Sequence, residues 1–103
     1  QATLLPVVLG GRGEVLDLGR AQRLHRPAQR KAIRLRDRGC RAEGCTTPAA
    51  WCEIHHRTPW AQGGSTTVDD AACLCPHHHH RIHDPAYSHE WLSSGAVRYH
   101  RRQ

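Results

Sequence analysis

Three observations in the 103-residue sequence predict a small α+β domain held together by bound metal as much as by an apolar core. The supply of large apolar side chains is thin, with no Phe, no Met, three Trp and two Tyr. A domain of this length buries a smaller fraction of its surface than a large one and often needs a staple. Metal-ligating residues are dense instead: there are five Cys and ten His, nine of the His beyond residue 50. Short β-rich runs alternate with two Pro-led segments, and the only low-complexity feature is the run His77–His80.

The elements follow in order. Residues 4–9 (LLPVVL) are apolar and β-rich, Gly10, Gly11 and Gly13 punctuate, and a second run follows at 15–18, which predicts an extended arm or hairpin over residues 1–26. Residues 27–103 form the main domain. Pro27 suits a first helical turn and Gly39 a stop, so PAQRKAIRLRDR predicts a helix over 27–38. On that helix Ala28, Ala32 and Leu35 share one side, with Arg30, Arg34 and Arg38 around the other. Those arginines, Arg34 among them, read either as a solvated face or as phosphate contacts. A compact core is expected over 40–84: a Cys-rich segment, a strand within 53–60, a turn at Gly63-Gly64 and a second strand within 66–74. A helix should then run from Pro76 through PHHHHRIH to Asp84-Pro85. The tail predicts a terminal hairpin over 89–100, turning at Ser94-Gly95.

The net charge is +6 with neutral His and the pI about 9.6, a balance that favours a polyanionic partner. Fourteen of the fifteen basic residues are Arg, Lys31 being the exception. Arginine suits bidentate phosphate contacts, although a GC-rich genome would give the same ratio. No secretory signal is visible, and no apolar run approaches the roughly 18 residues of a membrane span. An odd cysteine count without an export signal argues for metal binding over a disulfide scaffold. These points predict a cytoplasmic location and no membrane association. The missing initiator Met leads us to expect a piece of a longer protein, and no dimer motif is readable.

The metal-ligating residues have directional spacing. His79 and His83, four apart on a helix, can present two imidazoles to one ion, although two surface histidines would look the same. Cys40-x4-Cys45 and Cys75-x2-His78 form two knuckles that together offer four ligands for a closed tetrahedral zinc site. His55-His56 lies between the knuckles, and the second knuckle runs straight into the helix that carries His79 and His83. An affinity tag would not be internal and followed by Arg-Ile-His-Asp. Cys52 is a possible substitute zinc ligand, whereas Cys73 in an apolar stretch reads as a buried thiol. Trp51 and Trp60 flank the histidine strand; packing is the default role for both and base stacking the alternative.

The succession C-x4-C, HH-x3-W-x2-GG, a D-D pair and C-x2-HH-x3-H resembles the HNH, or ββα-metal, endonuclease family. More closely it is similar to the HNH domain at the C-terminus of a large repeat family of high-GC bacteria with no assigned role. The approach GEVLDLGR, PAQRKA and RDRGC is similar too, so the resemblance covers roughly residues 14–92. It implies a zinc-stapled ββα-metal (His-Me finger) fold and metal-dependent hydrolysis of DNA phosphodiester bonds. By the resemblance His55, His79 and His83 hold the catalytic ion, His56 is the general base, and Cys40, Cys45, Cys75 and His78 hold the structural zinc. Arg57 and Arg81 lie close enough in sequence to clamp phosphates, though exposed arginine is the competing reading.

Two departures from the family pattern matter. Asp70 stands where the family has the Asn that braces the loop, and an ionised Asp can only accept hydrogen bonds. His78 stands where many members have Cys, which still leaves a Cys3His set that suits zinc. The second ion is left open between Mg2+, Mn2+, Zn2+ and Ni2+, because imidazoles favour the softer metals while HNH enzymes often use the harder ones. Three functional readings result: an endonuclease or nickase, a non-catalytic zinc-stabilised DNA-binding module, and an interaction or metal-buffering domain.

Overall fold

The computed structural model describes residues 23–103, together with the backbone of strands β1 (Leu9–Gly10) and β2 (Glu14–Val15), which pair antiparallel. The remainder of the expected N-terminal arm lies outside the described residues. The chain is α+β: helix α1 (Pro27–Asp37), strands β3 (Glu53–His56) and β4 (Ala71–Leu74), helix α2 (Pro76–Ile82), and strands β5 (Tyr87–Trp91) and β6 (Val97–Arg101). Two antiparallel two-stranded sheets, β3–β4 and β5–β6, accompany the helices in the main domain. Among the described residues no helix is long and apolar enough to cross a membrane.

Helix α1 starts as its sequence directs, with Pro27 in the first turn and the Gln29 side chain accepting from the Arg26 backbone N–H at 2.8 Å. Its inward face is not the expected one. Gln29 and Ile33 are fully buried while Leu35 is 69% exposed, so the core-facing stripe runs through positions 29 and 33. The physical reason is polar satisfaction. Gln29 donates to the Thr66 carbonyl at 3.0 Å, and Arg36 donates to the carbonyls of Val68 and Ala71 at 2.6 and 2.5 Å. The loop before β4 and the first residue of that strand supply carbonyl acceptors that these polar side chains satisfy, Gln29 from inside and Arg36 from the exposed rim.

The stop of α1 also differs from expectation. Arg38, not Gly39, takes the left-handed conformation (φ 64°), and its N–H bonds the Arg34 carbonyl at 2.8 Å. Gly39 is needed for close approach instead, since a Cβ there would sit 2.7 Å from the Thr47 carbonyl oxygen. Arg38→Gly is therefore expected to raise the unfolding free energy by about 0.5–1 kcal/mol, by relieving a Cβ clash. A later urea midpoint would show it, and Gly39→Ala should move the midpoint the other way.

Strand β4 is buried along its whole length, between β3 on one edge and α1 on the other. On the α1 side its Cys73 N–H donates to the Asp37 carboxylate at 2.9 Å, and its Cys73 carbonyl accepts from the Arg41 backbone at 2.8 Å. Asp37, whose side chain is 2% exposed, also pairs with Arg36 at 2.7 Å. A buried carboxylate with these partners covers an edge that would otherwise offer unpaired backbone. In the β3–β4 ladder, His55 lies opposite Ala72 and His56 opposite Ala71. Small partners leave room for both imidazoles.

The terminal hairpin docks on the first knuckle. Fully buried Val97 accepts from Glu43 N and donates to the Arg41 carbonyl, each at 2.9 Å, and Tyr99 Oη donates to the His78 carbonyl at 2.8 Å. Ile33, Leu74 and Val97 are the largest apolar side chains in a core otherwise made of Ala and Cys. Trp51, expected to pack, is 71% exposed; Trp91 on β5 packs against the core instead. The 3-10 turn at Ala49–Trp51 directs the Trp51 ring to solvent.

Candidate metal centres

The first knuckle lies between α1 and β3, and the second spans the junction of β4 and α2. Their four ligand atoms, from Cys40, Cys45, Cys75 and His78, lie within 4.8 Å of one another. The His78 Nδ1 is 3.3 Å from Cys75 Sγ and 3.7 Å from Cys40 Sγ. Zinc with about 2.3 Å bonds to sulfur and about 2.0–2.1 Å to nitrogen sets a tetrahedral S···N edge of roughly 3.6 Å, so this donor set fits zinc with little rearrangement. Burial, with its neighbouring thiols adding, pushes the Cys40 thiol up to about 12 in the metal-free protein. A cation must displace that proton, which makes affinity fall as pH falls. The His78 ring stacks on Tyr99 with centroids 5.7 Å apart, so the hairpin holds it.

Cys52 and Cys73 stand apart from this set. Cys52 is buried and donates to the Pro48 carbonyl at 3.4 Å, and Cys73 is fully buried in β4.

The second cluster joins β3 to α2. His55 on β3, His79 on α2 and His83 at its C-terminus bring their ligand nitrogens within 4.8 Å of one another. Burial first, then the neighbouring His79 and His83, push the His55 imidazole down to about 3, so it is neutral and its lone pair is available at neutral pH. Trp91 lies nearly parallel to the His55 ring, with centroids 6.3 Å apart and an 18° interplanar angle. Three imidazoles opening on solvent through exposed His83 suit a divalent transition metal with vacant positions for water or phosphate.

Glu53 belongs to this cluster and was missed in the sequence. Its carboxylate lies 2.5 Å from His79 Nδ1 and accepts a hydrogen bond from the Nδ1–H, which leaves His79 Nε2 as the ligand atom. The signal was there: residues 53 and 55 share a face of the strand, because side chains alternate with period two.

His56, the last residue of β3, points the other way from His55. Its Nε2 is 3.2 Å from the Thr66 hydroxyl, and its ring lies 4.7 Å from that of His25 and 6.0 Å from Trp60. His25 is buried and also unanticipated. Burial, then the nearby His56, lowers its pKa below the ordinary imidazole value, and its Nε2 contacts the Thr67 carbonyl at 3.3 Å. Asp70 sits in the turn entering β4. Its carbonyl accepts from Arg57 N at 2.9 Å and its carboxylate from the Thr58 hydroxyl at 3.1 Å. The Thr58 hydroxyl and the Arg57 N–H, both donating to Asp70, thus tie the two ends of the β3–β4 connection together.

A groove of about 630 Å³ contains all of these imidazoles, and Arg23, Arg30 and Arg34 line it. Arg34 also donates to the carbonyls of Ala49 and Cys52, both at 3.2 Å. Arg57 and Arg81 do not line this groove. The Arg57 guanidinium lies 4.6 Å over the Trp91 ring and that of Arg81 4.6 Å over Tyr87, positions set by cation–π contact. Arg23, which carried no signal in the sequence, and Arg30 from the basic face of α1 line the groove beside Arg34.

The uncharacterised protein Rv1128c of Mycobacterium tuberculosis is 46% identical over 68 residues, covering 66% of this chain and 15% of that protein. The uncharacterised protein Mb1179c of Mycobacterium bovis is 42% identical over 60 residues, 58% of this chain and 13% of that protein. The chain thus spans about a sixth or less of the length of these relatives. No family model matches the chain, and no solved structure matches it.

Proposed function

We propose that this chain is an HNH-type, metal-dependent endonuclease domain that hydrolyses DNA phosphodiester bonds. The observation that carries the reading is the convergence of His55, His79 and His83 from a β-hairpin and the helix after it, with His56 beside them in a groove walled by arginine. In this reading Cys40, Cys45, Cys75 and His78 hold a structural zinc. A divalent cation on the three imidazoles supplies charge neutralisation for the scissile phosphate and its departing 3′ oxygen.

The chain's own residues do the rest. His56 accepts a proton from the attacking water, a task suited to imidazole near neutral pH. Arg23, Arg30 and Arg34 attract and align the phosphates along the groove. Glu53 fixes the orientation of His79, and Trp91 keeps water from the inner face of His55. The Thr58–Asp70 hydrogen bond favours an intact loop, and so an active domain over a degenerate one. The sequence-stretch shared with longer mycobacterial proteins fits a nuclease module that works within a larger chain.

The test is supercoiled plasmid incubated with the zinc-loaded protein and Mg2+, Mn2+, Zn2+ or Ni2+ in turn. Nicked or linear product, abolished by chelation, is expected. Salt-sensitive DNA binding without scission under any of these ions would replace the nuclease with a DNA-binding module, and neither binding nor scission would reject both.

A further inference from the structure

Among the described residues, three large apolar side chains stand open to solvent: Leu24 and Trp51 at 71% exposure and Leu35 at 69%. Two of them belong to one place. A cleft of about 450 Å³ lies between α1 and the 3-10 turn Ala49–Trp51, with Leu35, Ala49 and Ala50 in its lining. Trp51 is the next residue along that turn. Arg30, Lys31 and Arg34 line the same cleft, and no carboxylate does. Arg30 and Arg34 also line the imidazole groove, so the two hollows share a cationic wall. Arg34 Nε donates to the Ala49 carbonyl and its Nη2 to that of Cys52, each at 3.2 Å. One guanidinium thereby braces both ends of the turn that presents Trp51, and it keeps further N–H donors for an anion.

We infer that this cleft takes an unpaired DNA strand leaving the groove, with Trp51 stacking on one of its bases, so that the preferred substrate is DNA carrying a single-stranded stretch. This rests on the reading of the groove as a DNA site. Three cations without a carboxylate call for a polyanion, and the shared arginines make the cleft continuous with the groove. An indole can stack only on a base whose face is uncovered, and in a duplex the neighbouring pairs cover both faces. A Trp left in water forfeits the burial that usually draws it inside, and stacking on a bound base recovers it. An acidic peptide would match the charge of the cleft, but a strand that runs on along the arginine wall matches both hollows.

The experiment separates stacking from charge. Binding of the zinc-loaded protein is measured for a duplex ending in an unpaired thymidine overhang, and for the same duplex with an abasic overhang that keeps the phosphates. The thymidine overhang should bind about five- to 150-fold more tightly, the value of one base–aromatic stack. Trp51→Ala should bring the two affinities together, and Trp51→Phe, which keeps an aromatic face, should restore most of the difference. Lys31→Ala should instead weaken both and lower the salt dependence of binding. In the wild-type protein, ultraviolet cross-linking of a 5-bromodeoxyuridine overhang should map to Trp51, which decides the matter even if the alanine variant misfolds; a cross-link confined to other residues would overturn the inference. Equal affinity for the two overhangs, in a protein that nicks plasmid, would overturn it too and leave the nuclease reading standing. A Trp51-dependent preference in a protein that cuts no DNA would overturn the nuclease reading while the cleft assignment stood. An acidic, leucine-containing peptide that binds through Trp51, where neither overhang does, would replace the strand with a protein partner.

Discussion

Stripping zinc from Cys40, Cys45, Cys75 and His78 is expected to unfold the domain. Among the described residues, only Ile33, Leu74 and Val97 contribute sizeable, fully buried apolar side chains; the other buried apolar residues are Ala and Cys, with half-buried Ile54, Val68, Ile82, Trp91 and Tyr99 packed against them. Stabilities of single domains lie near 5–15 kcal/mol, while structural zinc sites contribute about 10–16 kcal/mol of binding free energy at neutral pH. The metal term is therefore as large as the whole margin. It is also central, because the four ligands tie the segment after α1 to the start of α2, and Tyr99 of the hairpin packs on His78. A strong chelator, or Cys75→Ser, should remove the hairpin signal from circular dichroism and collapse the NMR dispersion. His83→Ala is the control: it removes a side chain from the histidine cluster alone and should leave the fold in place. A chelated protein that keeps its native spectrum would refute the structural role.

His56→Ala is expected to lower cleavage by about 10²–10⁴-fold, the usual contribution of a positioned general base. The loss should fall on the chemical step. His56 is not among the clustered ligands, which are His55, His79 and His83, so metal content should hold at the wild-type level. The arginines along the groove are untouched, so DNA affinity and its salt dependence should hold too. Single-turnover nicking of plasmid, with metal analysis and binding on the same preparations, separates these effects. Unchanged cleavage would reject His56 as the base. Lost cleavage together with lost metal would assign it to the cation site.

How much of this site was legible depended on whether its contacts were local. His79 and His83 share a helix face at a spacing of four, and Cys75 and His78 belong to one knuckle, so short spacings brought out both clusters. Glu53 was legible by strand alternation with His55 and went unread. Thr66 and His25 carried no local signal, since Thr66 meets His56 only when the β3–β4 connection folds back and His25 only when the residues before α1 pack beside it. The arginines of the groove followed the same rule. Arg57 and Arg81 were drawn from proximity along the chain, yet aromatic faces hold them elsewhere, and Arg23 and Arg30 line the groove.

Element order shows the same division. Proline and glycine punctuation and short apolar runs located both helices, the β3–β4 pair and the terminal hairpin, because helix starts and turns are governed by dihedral preferences of single residues. The inward face of α1 was another matter. An apolar count put Leu35 inside, yet Gln29 turns inward to the Thr66 carbonyl while exposed Arg36 reaches the carbonyls of Val68 and Ala71 from the rim. By itself, then, the sequence determined an α+β chain with two groups of metal-ligating side chains, since spacing within a strand, knuckle or helix dictates which donors can converge. Tertiary structure alone decided which carboxylate orients His79, which hydroxyl meets His56 and which arginines wall the groove. Those are contacts between different elements and loops, where packing and hydrogen-bond satisfaction select the partner and local propensity has no say.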